Sequence, residues 1–435
     1  MRKYLLLFGA ISTIISSAAL AETSLTIATV NNGDMIRMQR LADDFTTKNP
    51  DIKLNWITLE ENVLRERVTT DIATKGGQYD ILTIGTYEAP IWAKRGWLLS
   101  LDKLDADFDK EDILPTIREA LSTNNKLFAS PFYAESSLLM YRKDLFDKAG
   151  LKMPEGGADW QFISEAARKI DDKKNGIAGI CMRGKAGWGE NMVMVTSIAN
   201  TLGAKWFDEN WKPQFNTEKW KEAARLYVNM LREVGPGGAS SNGFNENLAL
   251  FQQGKCGMWI DASVAASFVS NPKESRVANE AAFALPPNVE GGESRGNWLW
   301  AWALAIPSSS SKSDAAQKFI SWATNKDYLR LVASKEGWAN VPPGTRKSLY
   351  DNPEYLREAS FAAITSETIN AANKGKPKVQ YSAWGYLVIP EYQNIGTAVG
   401  QLFSAAVAGQ LSVDDALAQA QSLTTREMTR AGYIK

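Results

Sequence analysis

Apolar strand patterns alternating with amphipathic helix patterns across residues 25–84 limit the possible folds of this chain more than any other feature. Residues 25–30 read as a strand. Asn31-Asn32-Gly33-Asp34 follows, and then a stretch in which Met35, Met38, Leu41, Ala42 and Phe45 recur on one helical face. A second strand over 52–59, a helix over 62–74 stopped by Gly76-Gly77, and a third strand over 79–84 complete the series. Strands joined by crossover helices pair in parallel, which makes the architecture α/β. In open sheets of this kind ligands gather beyond the carboxyl ends of the strands, where loops 31–34 and 86–88 are expected.

The alternation resumes later in the chain. Strands over 177–181 and 256–260 flank helices over 191–202, 217–232 and 245–253; a strand over 298–306 and a helix over 312–323 follow, and helical patterns dominate from Pro353 onward. At 435 residues the chain has room for about two to three domains.

Arg2 and Lys3 precede an apolar stretch over 4–15 and small residues ending in Ala19-Leu20-Ala21, the pattern of a secretory signal peptide cleaved after Ala21. Its apolar core is shorter than the roughly 20 residues a bilayer requires. The chain holds 49 basic and 49 acidic residues, and loss of Arg2 and Lys3 leaves 47 against 49. That balance attracts neither nucleic acid nor anionic lipid, so no nucleic-acid partner is expected. Histidine is absent, which excludes the Ser-His-Asp arrangement and every His-containing zinc motif. Cys181 and Cys256 are the two cysteines of a chain bound for an oxidising compartment, and a single disulfide between them is expected over two buried thiols. They cannot build a four-cysteine zinc site, and no Gly-x-x-x-x-Gly-Lys-Ser/Thr phosphate loop occurs. No catalytic residue, metal site or cofactor is expected.

Residues 131–160 read PFYAESSLLMYRKDLFDKAGLKMPEGGADW. The carboxylate of Glu135 stands just before an apolar strand over 137–141. A short helix over 143–149 is closed by Gly150, and a Pro-Gly turn leads into a helix that Asp159 can cap. Further on come FQQGKCGMWID (251–261), AAQKFI (315–320) and GQLS followed by Asp415-Ala416-Leu417. This order resembles the extracellular solute-binding proteins, the receptors of ABC importers, over essentially the whole mature chain. The stretches CMRGKAGWGENM (181–192), GNWLWAW (296–302) and VQYSAWGY (379–386) look like the sorbitol and mannitol branch, whereas Thr86-Tyr87-Glu88 stands where maltodextrin-binding members carry a charged pair.

The resemblance implies an α/β, two-lobed periplasmic-binding-protein fold of type II, with discontinuous lobes, a hinge and a central ligand cleft. One lobe is expected over 22–134 plus 301–350 and the other over 135–300 plus 351–435. It further implies a periplasmic monomer, not an enzyme, that holds a polyol or small sugar and delivers it to ABC permease subunits in the inner membrane. Two alternatives are a secreted carbohydrate-active enzyme using paired carboxylates about 5 to 9.5 Å apart, and an oligosaccharide-binding protein of the same fold.

A buried ligand hydroxyl left unpaired costs roughly 1 to 3 kcal/mol, so such a cleft must answer each one, and carboxylates do so at two oxygens. Asp34, Glu88, Glu135 and Asp261 lie at or just beyond predicted strand ends. Asp34 and Asp261 also suit helix caps, and Glu88 a helix start favoured by the macrodipole. Asn32, Thr86 and Tyr87 share those loops. Tryptophan adds a flat apolar face and an N–H donor. Trp298, Trp300 and Trp302 share one side of a strand, the leading ones expected at the cleft and Trp302 in the core. Trp188 lies between two glycines with Arg183, Lys185 and Asn191 around it, and Trp259 suits either cleft or core. Trp160, Trp206, Trp220 and Trp322 are expected in the core. Arg346, Tyr381 and Trp384 sit in turns expected to close over the ligand.

Overall fold

A computed structural model describes residues 22–105, 107–289, 295–374 and 385–434. The expected signal peptide, Tyr381 and Trp384 lie outside the described residues.

The strands are β1 (Thr23–Val30), β2 (Ile52–Leu59), β3 (Ile81–Gly85), a small hairpin of β4 (Ser122–Thr123) and β5 (Lys126–Leu127), β6 (Ala129–Glu135), β7 (Ser137–Arg142), β8 (Ala178–Cys181), β9 (Cys256–Ala262), β10 (Ala281–Ala284) and β11 (Trp300–Ala305). They form two main sheets, β2-β1-β3-β11-β6 and β10-β7-β9-β8, each the centre of one lobe. β1 pairs in parallel with β2 and β3, as crossover helices require. The sheet is nonetheless mixed, because β11 inserts antiparallel between β3 and β6. β11 returns from the other sheet instead of leaving a crossover helix of its own, so nothing forces it into parallel. In the second sheet β8 and β9 pair in parallel while β7 and β10 run antiparallel to their neighbours.

Local chemistry sets the helix ends. The Glu60 side chain accepts from the N–H groups of Asn62 and Val63 at 3.0 and 3.3 Å and starts the helix Glu61–Thr74. Asp159 accepts from Phe162 N at 2.7 Å and starts Trp160–Ile170, whose buried stripe is Trp160, Ile163, Ala166, Ala167 and Ile170. β6 was not legible from period-two alternation, because every residue of ASPFYAE is buried and both faces of the strand are covered.

The chain passes between the sheets at Ser136 and again between β10 and β11. The two passages are tied together by Asn297 Nδ2, which donates to Ser136 Oγ and Thr368 O, both at 3.2 Å, while Ser263 N, just past β9, donates to Ser136 O at 2.7 Å. Cys181 and Cys256, on neighbouring strands β8 and β9, form a disulfide with Cα atoms 5.9 Å apart. The helices Tyr392–Val407 and Val413–Arg430 pack against Glu218–Val234 beside the second sheet.

Candidate functional site

The antiparallel insertion of β11 brings its start to the carboxyl ends of β1, β3 and β6. The register sets Glu135 opposite Trp300, and both Tyr133 and Gly85 opposite Trp302. A Cβ on Gly85 would collide with the Trp300 ring, so that glycine makes room for the indole over the sheet end. Asn32 caps the helix Gly33–Leu41 by accepting from Met35 N at 3.0 Å, and its amide donates to Tyr133 Oη at 2.8 Å.

Loop 182–190 of the second lobe faces this end of the sheet. Arg183 Nη2 and Nε donate to Asp261 Oδ1 at 2.7 and 3.0 Å, and Asp261 also accepts from Ala262 N and Trp259 Nε1 at 2.7 and 3.2 Å. Asp261 is fully buried, so its role is to hold the Arg183 guanidinium in one orientation. Lys185 Nζ reaches across to Glu60 Oε1 at 2.6 Å. A Cβ on Gly189 would come within 2.7 Å of Glu61 Oε1 and 2.9 Å of Arg65 Nη2. The bare backbone therefore lets the loop lie directly on the helix Glu61–Thr74.

Arg65 occupies the centre. It bonds Glu61 and Glu88, each at 2.9 Å, and its guanidinium carbon lies 4.1, 4.6 and 4.7 Å from ring centroids of Trp188, Trp300 and Trp302. Arg65, Glu61 and the three indoles, together with Asn32, Glu60, Glu135, Lys185, Glu190, Trp298 and Tyr386, line a cavity of about 60 Å³. One water needs about 10 to 15 Å³ on this measure, so the space suits several waters or one small solute. Trp188 Nε1, Trp300 Nε1 and Glu190 Oε2 are buried without a hydrogen-bond partner. Buried orphan polar atoms are uncommon because each forfeits its hydration. Two donors and an acceptor on residues lining one cavity are complementary to hydroxyl groups, which donate and accept.

Burial holds the carboxyls of Glu135 and Glu190 up, each to about 8; Arg183 opposes the rise at both, and at Glu190 the neighbouring Glu61 adds to it. Burial disfavours the Lys185 ammonium, but the bond to Glu60 and the nearby Glu190 outweigh it and keep that amine above its ordinary value.

Of the residues singled out in the sequence, Asn32, Glu135, Arg183, Lys185, Trp188, Trp298 and Trp300 line the cavity. The others are placed elsewhere. Asp34 pairs with Arg37, buried beside Glu336, and burial pushes its carboxyl up to about 6. Thr86 Oγ1 bonds Tyr386 Oη at 2.6 Å, and Tyr87 Oη donates to Ile389 O at 3.0 Å. Glu88 backs Arg65 and accepts from Gly85 N at 2.9 Å. Asn191 opens the helix Asn191–Thr201 and donates to Gly400 O at 2.8 Å. Asp261 stands behind Arg183. Arg346 does not line the cavity: its guanidinium donates to Thr324 O at 2.9 Å and meets Asp112. Trp302, expected in the core, lines the cavity, whereas Trp259 is core.

Sequence reasoning missed Glu61, Arg65, Tyr133, Glu190 and Tyr386. Glu190 directly follows Gly187-Trp188-Gly189, and Tyr133 is two residues before Glu135 on the same strand face; both spacings were available as signals.

Residues 32–329 match the model of the bacterial extracellular solute-binding proteins. The chain is 54% identical over 418 residues, 95% of both chains, to a mannitol-binding protein of Pseudomonas aeruginosa. A solved solute-binding protein of Agrobacterium vitis S4 with bound D-mannitol superposes with a TM-score of 0.92 at 63% identity, covering 95% of this chain and 100% of that one. Maltose-bound MalE3 of Thermotoga maritima shares the fold, with a TM-score of 0.79 at 21% identity over 93% and 99% of the two chains. The strand order, the paired lobes and these likenesses agree: the chain belongs to the bacterial extracellular solute-binding proteins.

Proposed function

We propose that this protein is the periplasmic receptor of an ABC importer for a linear polyol of the mannitol or sorbitol type. The observation that carries the reading is the cavity whose lining leaves two indole N–H groups and a carboxyl oxygen unpaired. A hydroxyl-rich guest supplies the missing partner to each. The Arg65 guanidinium already covers faces of Trp188, Trp300 and Trp302, so their N–H edges matter more here than stacking on a sugar ring. The mannitol-binding relative and the mannitol-bound structure support the same ligand class. A cavity of about 60 Å³ disfavours an oligosaccharide.

Ligand would first meet the lobe built on the first sheet and draw in the lobe built on the second. Closure follows because the loop carrying Arg183, Lys185 and Trp188 adds its contacts only in the shut form, and differential affinity of this kind shifts the equilibrium. The closed monomer then presents itself to permease subunits in the inner membrane, and the guest leaves chemically unchanged. Export to the periplasm relies on the signal peptide with cleavage after Ala21.

Calorimetric titration of the mature chain with mannitol, sorbitol, arabitol, glucose and maltose tests this. Heat is expected with the alditols and none with maltose; binding confined to disaccharides would overturn it. NMR of mannitol incubated with the protein is expected to show no new species.

A further inference from the structure

Sorting the charges around the cavity by partner leaves a remainder. Arg65 pairs with Glu61 and Glu88, Arg183 with Asp261, and Lys185 with Glu60, at 2.6 to 2.9 Å. Glu246 closes a helix cap, accepting from Gly243 N at 2.8 Å. Every lining cation thus has its own carboxylate, and Glu135 and Glu190 remain. Among the described residues no side chain or backbone N–H donates to Glu135. Glu190 meets Arg183 and Lys185 only at 3.6 and 3.9 Å, outside hydrogen-bonding distance, and its Oε2 has no partner. Both residues are at most 5% exposed. Two buried carboxyls without a hydrogen-bonded cation call for a compensating positive charge, which a proton or a ligand cation supplies.

The geometry points to a second ligand class for this cavity: polyols that carry one amine, with the ammonium taken at one of the two unpaired lining carboxyls, Glu135 or Glu190, while the hydroxyls meet the indole N–H groups. This rests on the polyol reading and extends it. With a neutral polyol the two carboxyls keep their protons; with an amino-alditol the ammonium replaces a proton. A carboxylate-bearing polyol adds a third uncompensated acid and is excluded. The charged groups acting on Glu135 are Arg183, Asp261, Glu61 and Asp34, and those on Glu190 are Glu61, Arg183, Lys185 and Glu60. Against them burial holds both carboxyls protonated at neutral pH and releases the protons near pH 8. A primary amine, with a pKa near that of lysine at about 10, stays charged through that range.

The test is titration of the unaltered mature protein with glucamine, mannitol and gluconate at pH 7 and pH 8.5. Glucamine is expected to displace mannitol, and its affinity relative to mannitol is expected to rise roughly tenfold between the two pH values. Gluconate is expected not to bind. Failure of glucamine to bind at either pH, a relative affinity that is flat or falls with pH, or gluconate binding as tightly as mannitol would each overturn the inference. If glucamine fails while mannitol binds, the polyol reading survives; if mannitol itself fails, that reading falls separately. At least one of Glu135→Gln and Glu190→Gln is expected to lower the glucamine-to-mannitol ratio, with thermal unfolding as the check on folding; an unchanged ratio in both folded variants would overturn the inference. Should either variant fail to fold, the pH series on the unaltered chain decides alone.

Discussion

The guanidinium carbon of Arg65, on a helix of the first lobe, lies 4.1 Å from the ring centroid of Trp188, on a loop of the second. The same guanidinium reaches Trp300 and Trp302 on the first lobe's own sheet. One buried cation therefore joins three indoles across the interlobe gap, and a desolvated cation–π contact contributes about 2 kcal/mol. The contact between the lobes and the packing of the cavity-lining tryptophans thus share one side chain.

Replacing Arg65 tests this. Arg65→Ala leaves Glu88 buried without its ion partner, and breaking one half of a buried pair costs about 3 to 5 kcal/mol of stability. Arg65→Lys keeps the charge but loses the planar fork and its stacking. That variant is expected to fold and to bind mannitol roughly tenfold more weakly by calorimetry. Unchanged affinity would show that the stack plays no part in closure.

Gly33, at the start of a first-lobe helix, sits against the Phe268 ring of the second lobe, where a Cβ would collide with the ring. Its backbone is ordinary helix, so alanine fits each lobe taken separately. Gly33→Ala is expected to leave the unfolding temperature of the unliganded protein nearly unchanged. It should weaken mannitol binding by tenfold or more, roughly the effect of 1.4 kcal/mol lost from the closed form alone. Equal affinity in variant and parent would place Phe268 outside the closing contact.

Stability of the unliganded protein should decline as pH rises from about 5 to 8. Glu135 and Glu190 have folded-state values near 8, above the ordinary 4.5 of a free glutamate. Between those values the folded chain holds protons that the unfolded chain has lost, so raising the pH favours unfolding, by at most about 1.4 kcal/mol per pH unit for each carboxyl. Asp34, raised to about 6, adds to the lower part of that window. Carboxyls held low by partners, such as Glu336 beside Arg37 and Arg40, act only below the window. Urea unfolding at pH 5.5, 6.5 and 7.5 should trace the decline, and Glu135→Gln should flatten it; a rising curve would contradict the assignment.

The disulfide Cys181–Cys256 closes a sequence separation of 75 residues. Loop closure of that size restricts the unfolded chain, and removing such a bridge costs about 2 to 5 kcal/mol. A Cys181→Ser/Cys256→Ser double variant is expected to unfold at correspondingly lower guanidinium concentration. An unchanged midpoint would mean that the bridge contributes nothing to the native balance.

Much of the fold was legible because its signals are local. The predicted strand over 52–59 coincides with β2, and the Asp159 cap forms as its chemistry dictates. Trp298 and Trp300 were legible as cavity residues through period-two spacing. Arg65 was not, since Glu61 and Arg65 four residues apart look like any exposed helix pair. Distant groups bury Arg65: Trp300 and Trp302 of β11, Glu88, and Trp188 on loop 182–190. Asp34 and Arg346 went the other way: each was expected in a loop or turn facing the ligand, yet each is claimed by a partner distant in sequence or on its own helix, Asp112 for Arg346 and Arg37 for Asp34.

The amino-acid order by itself determined the succession of strands and helices, the apolar faces they bury and the absence of histidine chemistry, because periodicity, capping and composition act over a few residues. The tertiary structure alone decided that β11 enters antiparallel, that Glu135 and Tyr133 stand beside Trp300 and Trp302, and that Glu190 is left without a hydrogen-bond partner at Oε2. Those outcomes depend on which distant groups meet and exclude water, and the energy of a charge or an indole N–H is set by that company more than by its neighbours in the chain.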